Sequence, residues 1–285
     1  MTDEKIALLV DSGCDVPLEY REKYHMYLAP LTIIYKDAEY RDGIDIDPGT
    51  VFARLAEEVP TTSLPSPAAV AELFKQIKTD GYGKVVVVAI SSGLSGTFDM
   101  LRSFGTEPEG LEAYYVDTKN IGIGSGLVAI RAAELIEQGL PFGEVCEQVE
   151  RAVKNTKVYF CVATLEYLIK GGRIGLVSGM AGMLLDVKPV ISCNEDGIYY
   201  TVAKARGREK SLKLALDKAV EFAEGATQYS IGVVQGAAEA EAQAVMKAMK
   251  ERLPDHRYAI EEQLTPVLVV HTGPGLIGIG VQRID

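Results

Sequence analysis

Lys84-Val-Val-Val-Val-Ala-Ile90 runs without a break into Ser91-Ser-Gly-Leu-Ser-Gly-Thr97. Six consecutive apolar residues, four of them valine, predict a strand buried on both faces, as at the centre of a parallel sheet. Helical residues from Phe98 to Phe104 follow, so the Ser/Gly/Thr stretch sits at a strand's carboxyl end, where open α/β sheets keep their ligands. Two readings of it stand. Its hydroxyls and glycine-exposed N–H groups suit a small anionic or carbonyl oxygen, and they equally suit a tight strand-to-helix turn with Ser95 as N-cap.

A chain of 285 residues with 47% hydrophobic content supports two domains of ordinary size. The formal net charge of −11, with no Lys/Arg-rich block, argues against a nucleic-acid backbone or an anionic membrane as a standing partner. Apolar runs are strand-sized and the first residues are acidic, so no signal peptide or membrane span is expected and a soluble cytoplasmic protein is. Cys14, Cys146, Cys161 and Cys193 are scattered with no CxxC pair, suggesting neither a zinc site nor a disulfide framework. Cys146 and Cys161 read as core. Cys14, in Asp11-Ser-Gly-Cys-Asp15, is the one cysteine placed to meet a ligand.

Around the valine strand the first half alternates strands and helices. Ile6 to Val10 is a buried-type strand, Pro17 opens a short helix, and Leu28 to Tyr35 reads as one strand. Asp47-Pro48 is an N-cap with proline at the first position of a helix reaching about Glu58. The three prolines of Pro60-Thr-Thr-Ser-Leu-Pro-Ser-Pro67 exclude helix and central strand, leaving a rigid hydroxyl-rich loop. Leu111 to Val116 is a strand, and Ile121-Gly-Ile-Gly-Ser-Gly126 opens an Ala-rich helix. That stretch fails as a dinucleotide fingerprint because Leu127 stands in the third glycine's place; small residues letting the helix lie close to the sheet explain it. A helix from Pro141 and a strand at Val158 to Val162 complete a parallel-sheet, three-layer α/β domain over residues 1–163. Residues 164–285 read as an α+β domain. It has a short Met/Leu-rich helix after Gly175, a hairpin around Asn194-Glu-Asp-Gly197, helices over Ser211 to Phe222 and up to Leu253, and strands at Tyr229 to Val234 and Arg257 to Glu261. The chain closes on strand-like residues either side of a tight turn in Thr265 to Gln282.

Ser95, His271 and Asp11 supply one residue for each role of a hydrolytic triad, which keeps a serine esterase or thioesterase using Ser95 and His271 as the alternative function. Gly93-Leu-Ser-Gly-Thr97, however, puts the second glycine of a nucleophile elbow one place early. A P-loop is excluded, since Ser91 to Thr97 has no lysine. His271, in a Gly-rich turn, reads as a donor to an anion or a base in preference to a histidine bonded to a backbone carbonyl.

Pro60-Thr-Thr-Ser-Leu-Pro-Ser-Pro67, Ser91-Ser-Gly-Leu-Ser-Gly-Thr97, Ile169-Lys-Gly-Gly-Arg-Ile174 and His271-Thr-Gly-Pro-Gly275 together, in this order across nearly the whole chain, closely resemble the DegV family, the bacterial fatty-acid-binding proteins also called FakB. The resemblance implies two domains with a ligand tunnel between them, one bound long-chain fatty acid, no cofactor or metal, and no catalysis. It implies a carrier whose ligand's carboxylate is presented to a separate fatty acid kinase for acyl-phosphate formation in phospholipid synthesis, with transient membrane contact. By motif match, Thr62, Ser95 and His271 bind the carboxylate, and Ser63, Gly96, Thr97 and Thr272 support them. Arg206, in Lys204-Ala-Arg-Gly-Arg208, matches the arginine tied to the kinase. Leu64 stands where the family usually has Gln, and Asp11-Ser-Gly-Cys departs from the common Asp-Ser-Thr start.

Overall fold

The computed structural model describes residues 4–104, 109–180 and 187–284. β1 (Ile6–Asp11) is buried along its length, a 3-10 turn covers Ser12–Cys14, and α1 (Leu18–Lys23) leads back to β2 (Tyr27–Ala29). Pro30 has no N–H to continue the ladder, so the single strand expected over Leu28 to Tyr35 is split, and β3 (Thr32–Ile34) joins a different sheet. There it lies between β4 (Glu39–Arg41) and β5 (Thr61–Ser63), antiparallel to both. Asp47 caps the intervening α2 (Pro48–Arg54) through the Thr50 N–H at 3.0 Å, and that helix stops at Arg54, short of Glu58. β5 corrects the loop expected over 60–67. Prolines bar a central strand but not an edge one, and β5 pairs only with β3.

α3 (Pro67–Thr79), which the sequence reading left unassigned, turns Val70, Phe74 and Ile77 inward. β6 (Lys84–Ala89) is the valine strand, followed by α4 (Thr97–Phe104), β7 (Glu112–Asp117), α5 (Ile123–Glu137) and α6 (Phe142–Lys154). The first sheet is wholly parallel, in the order β2-β1-β6-β7. β6 feeds two cores: Val86 and Val88 pack with α5 and α6, while Val85, Val87 and Ala89 pack with α3 and α4. This is the three-layer arrangement read from the sequence. The glycines of α5 do let it lie close, since a Cβ on Gly126 would come within 2.8 Å of the Cys14 carbonyl oxygen.

β8 (Thr156–Cys161) was expected to extend the parallel sheet. It belongs instead to a six-stranded mixed sheet. The second half supplies the other members: α7 (Glu166–Lys170), a 3-10 turn at Gly175–Met180, β9 (Val187–Cys193), β10 (Tyr199–Arg206), α8 (Arg208–Ala223), β11 (Gln228–Gln235), α9 (Glu239–Arg252), β12 (His256–Gln263), α10 (Pro266–Thr272) and β13 (Ile277–Ile284). The order is β10-β9-β8-β13-β11-β12, antiparallel except between β11 and β12. The change of sheet thus falls between β7 and β8, upstream of residue 163. The expected hairpin is β9–β10. The Met/Leu-rich helix is a 3-10 turn as far as Met180, and its continuation over 181–186 lies outside the described residues.

α10 is the largest correction. Val267-Leu-Val-Val270 has a strand's composition, yet it is helical, with Thr265 at the N-cap position and Pro266 in the first turn. Across the junction of the two halves, Ser91 Oγ donates to the Gly197 carbonyl at 2.9 Å, and Gly93 lies so close to that turn that a Cβ would meet the Asp196 carbonyl oxygen at 2.6 Å.

These contacts set expectations for two helix glycines. Gly126→Ala should lower stability by about 1–3 kcal/mol through overpacking, whereas Gly143→Ala, with nothing within 4 Å of its Cβ, should be neutral or add up to about 1 kcal/mol. Urea unfolding of both variants tests this, and equal midpoints would refute the close packing of α5.

Candidate functional site

His271 sits in the last turn of α10 and reaches across to β5, where its Nε2 lies 2.8 Å from Thr62 Oγ1. The other ring nitrogen, Nδ1, is buried with no partner among the described residues. It abuts Gly171, where any side chain would overlap the ring. A neutral imidazole carries one proton, and on Nδ1 that proton would be buried without an acceptor. The hydrogen-bond network therefore assigns it to Nε2, which donates to Thr62. Thr62's own O–H is left to point at a ligand. Burial, and then the positive charge of Arg173, push the His271 pKa down to about 4. Arg173 is itself held by two carbonyls, Gly171 O at 2.7 Å and Leu94 O at 3.4 Å.

Ser95 stands one place before the N-cap position of α4, which Gly96 occupies. Its Oγ accepts the Thr97 N–H at 3.3 Å in the first turn of α4 and lies 2.9 Å from Thr97 Oγ1. It also lines, with Thr62, His271 and Arg173, a cavity of about 40 Å³ between the two halves of the chain. Ile121, Tyr199, Leu268 and Thr272 are shared with a second cavity of about 30 Å³, which continues past Phe160 and Val234 and is almost wholly apolar. A cavity with several polar groups on its wall therefore adjoins an apolar continuation.

The remaining expected residues divide. Thr97 is fully buried at the loop's end, and Thr272 lines both cavities but donates its hydroxyl to Leu268 O at 2.8 Å within its own helix. Ser63 and Gly96 are exposed, and Leu64 packs toward Gly96. Arg206 is exposed at the end of the edge strand β10. Cys14 is not at the cavity; its buried thiol points to Val88 O at 3.6 Å. All four cysteines are free and buried, Cys146 and Cys161 in the core as expected. Nor does the Ser95, His271, Asp11 set assemble as a triad. Asp11 accepts the Ile90 N–H at 2.7 Å, and His271 bonds to Thr62 rather than to Ser95 or a carboxylate.

Sequence reasoning missed four residues that shape the site. Arg173 and Ser91 lay inside quoted motifs without a role, although a cation in a Gly-Gly-Arg turn is itself a signal. Asp15 and Asp42 are buried carboxylates bonded to the start of α10; Asp15 closed the quoted Asp11-Ser-Gly-Cys-Asp15 loop without a role, and Asp42 was given none. Among the described residues no cluster of His, Cys, Asp and Glu is arranged to hold a metal ion, and no helix is long and apolar enough to cross a membrane.

A family model described as "Uncharacterised protein, DegV family" matches residues 5–283. A DegV domain-containing protein of Clostridium acetobutylicum is 40% identical over 276 residues, covering 97% of this chain and 98% of the relative. Among solved structures, a DegV family protein from Thermus thermophilus described for its fatty acid binding superposes with a TM-score of 0.92 at 31% identity, over 98% of this chain and all of the other. DegV of Bacillus subtilis, described as a fatty acid binding protein, gives 0.89 at 26% identity over 99% of this chain and all of the other. A stearic acid-binding protein from Eubacterium ventriosum gives 0.88 at 28% identity over 98% of each chain.

The site's electrostatics set an expectation for proton NMR: the His271 ring should titrate near pH 4, below the ordinary value of 6.5, and Arg173→Gln should raise that midpoint only part of the way because burial is the larger cause. Since the folded value is the lower one, the neutral ring's share of stability is full above about pH 6.5 and is lost as the pH falls toward 4. A midpoint at the ordinary value would contradict the burial of the ring.

Proposed function

This chain belongs to the DegV family, and on that premise we propose that it binds a long-chain fatty acid and presents the carboxylate to a separate fatty acid kinase, serving as carrier and performing no catalysis itself. One observation carries the reading: Thr62, His271 and Ser95, from elements far apart in the chain, converge on one small cavity that adjoins an almost wholly apolar one. In the proposed complex, His271 Nε2–H donates to Thr62, and the Thr62 and Ser95 hydroxyls donate to the carboxylate. Two neutral hydroxyls, one of them backed by the imidazole, satisfy a buried anion without a direct ion pair. Arg173, fixed on two backbone carbonyls, supplies positive potential from the cavity wall.

The tail supplies affinity. At about 0.8 kcal/mol per buried CH₂, a chain of roughly 14 methylenes offers on the order of 11 kcal/mol before association and ordering costs. Arg206, exposed on β10, is proposed to face the kinase, where a cation on an otherwise acidic chain raises the association rate with an acidic partner. The half that carries the parallel sheet and the half from β8 onward are proposed as the two domains between which the ligand lies, in a cytoplasmic protein.

Mass spectrometry of an organic extract of protein never exposed to detergent should reveal a stoichiometric long-chain fatty acid. If none is found and none can be loaded, the carrier reading falls. Thr62→Ala and Ser95→Ala should each weaken binding by about 1–3 kcal/mol, or roughly 5- to 150-fold in Kd, with the fold intact. Undiminished affinity in the double variant would remove both residues from the site. With saturated carrier and kinase, Arg206→Ala should slow acyl-phosphate formation while leaving fatty-acid affinity unchanged, and added salt should narrow the difference. Equal rates at low salt would take Arg206 out of the docking surface.

A further inference from the structure

Cations scattered through an acidic sequence meet at one place away from the proposed fatty-acid site. A cavity of about 370 Å³ is walled by α5, the C-terminal part of α6 and the end of β13, and it shares no lining residue with the two cavities described above. From α6 come Gln148, Arg151, Ala152 and the capping Asn155, at the spacing of three and four residues that puts side chains on one helix face. Arg131 enters from α5 and Arg283 from β13. The last strand is tied to α6 at this point, because the Arg283 N–H donates to the Asn155 carbonyl at 2.8 Å. Beside it the Gln282 amide donates to Thr156 Oγ1 at 2.9 Å, so the wall is fixed.

The charge of this cavity is one-sided. Among the described residues Arg131, Arg151, Lys154 and Arg283 line it and no carboxylate does, in a chain whose formal net charge is −11. Two acids pair with these cations, neither of them strongly. Glu134 takes the Arg131 guanidinium at 3.3 Å but is shared with Arg257 at 2.8 Å and with the Tyr258 hydroxyl. Glu147 reaches Arg151 only at 3.9 Å, with both side chains largely exposed, a pair that contributes little. Lys154 and Arg283 have no ion pair or side-chain hydrogen bond among the described residues, and Arg283 Nε is buried. A helix C-terminus attracts cations by itself, and Arg151 and Lys154 stand in the last turn of α6. That accounts for those two. It leaves Arg131, within α5, and Arg283, on a strand, where a buried N–H without an acceptor is costly unless something else accepts from it.

We propose that this cavity is a second ligand site, which binds a soluble phosphate-bearing anion through Arg283, Arg131, Arg151 and Lys154. The Arg283 guanidinium supplies the donor that the fold leaves unused, and its planar fork suits two oxygens of one phosphate. Arg131 faces the same space from α5, and Arg151 and Lys154 add charge at the exposed side, with the Gln148 and Asn155 amides as neutral donors. Cations from a strand and two helices surround a tetrahedral oxyanion better than a planar carboxylate, and a lining with this excess of positive charge calls for an anion carrying more than one charge. A bilayer is disfavoured as the source of the phosphate, because the site is recessed and the rest of the chain is acidic. The proposal is independent of the fatty-acid reading, since no residue is common to the two sites.

Isothermal titration calorimetry of the full chain with inorganic pyrophosphate, at constant ionic strength, tests the site. Pyrophosphate should bind once per chain and more tightly than inorganic phosphate. Arg283→Gln should weaken it about ten- to a hundredfold, the loss expected for a charge-assisted hydrogen bond. Arg151→Gln and Lys154→Gln, combined in one protein at two exposed helix positions, should weaken it about tenfold. Lys250→Gln removes an exposed cation from the last turn of α9 and should change nothing. Vesicles of phosphatidic acid should not sediment the protein. Absence of pyrophosphate binding at millimolar concentration overturns the proposal, as does binding that Lys250→Gln weakens as much as the double variant does. Sedimentation with vesicles that Arg283→Gln abolishes, without binding of pyrophosphate, also overturns it and gives the cavity to a lipid headgroup. If Arg283→Gln does not fold, the double variant decides, and its undiminished affinity removes the site.

Discussion

A helix of seven residues does not hold its shape in water by its own hydrogen bonds, and α10 carries the histidine at the heart of the site on such a helix. Its shape is imposed from outside. Two buried carboxylates accept the N–H groups that a helix start leaves open, and a threonine on an edge strand takes up the imidazole at the other end. Packing completes the constraint, since Val267, Leu268, Val269 and Val270 are all buried. The meeting of Thr62 with His271, 209 positions apart in the chain, is a consequence of this suspension rather than of anything local to either residue.

That dependence explains what could be read in the sequence and what could not. The valine strand with its polar exit, the strand and helix alternation through α6, and the close-lying α5 all follow from local pattern, and the structure has them. α10 does not follow. A run of branched apolar residues is ambiguous between strand and buried helix, and the sequence reading passed over Thr265-Pro266 as a helix start. The bonds that decide it come from Asp15 and Asp42, 250 and 225 positions away. β8 is a similar case. Its residues suit a buried strand in either sheet, and pairing with β9 and with β13, at the far end of the chain, settles which. Pro30, by contrast, is a local signal that the single strand read over Leu28 to Tyr35 passed over, and its consequence, a change of sheet, follows from the fold.

For the site, hydroxyls and a histidine at the mouths of loops were legible because their chemistry is unusual in such places, and Thr62, Ser95 and His271 do line one cavity. Supporting residues were less so. Thr272 looked like a donor, but a helical threonine bonds readily to the carbonyl a turn back, and this one does. Arg173 went unassigned because an arginine in a glycine turn has many uses, and only the fold reveals that its guanidinium is anchored on the carbonyls of Gly171 and Leu94 beside the imidazole. Cys14 was judged by its loop, yet the 3-10 turn rotates its thiol into the core toward Val88.

The balance of charges gives the arrangement a direction. Behind α10 lie buried acids that burial drives toward neutrality; in front lies an imidazole that burial and Arg173 also keep neutral. A buried anion held by neutral hydroxyls is retained by hydrogen bonds that any incoming donor can replace, whereas an anion in a desolvated ion pair leaves behind an unpaired charge, at a cost of several kcal/mol. Under the proposed function this difference matters. A carrier has to keep a carboxylate out of water and then yield one of its oxygens to a phosphoryl donor. Thr62 and Ser95 can exchange partners at little cost, while burial of the tail retains the ligand throughout. An arginine bonded directly to the head group would bind more tightly and hand over less readily, and Arg173, anchored through Nε and Nη1 on backbone carbonyls, is proposed to contribute potential from the cavity wall.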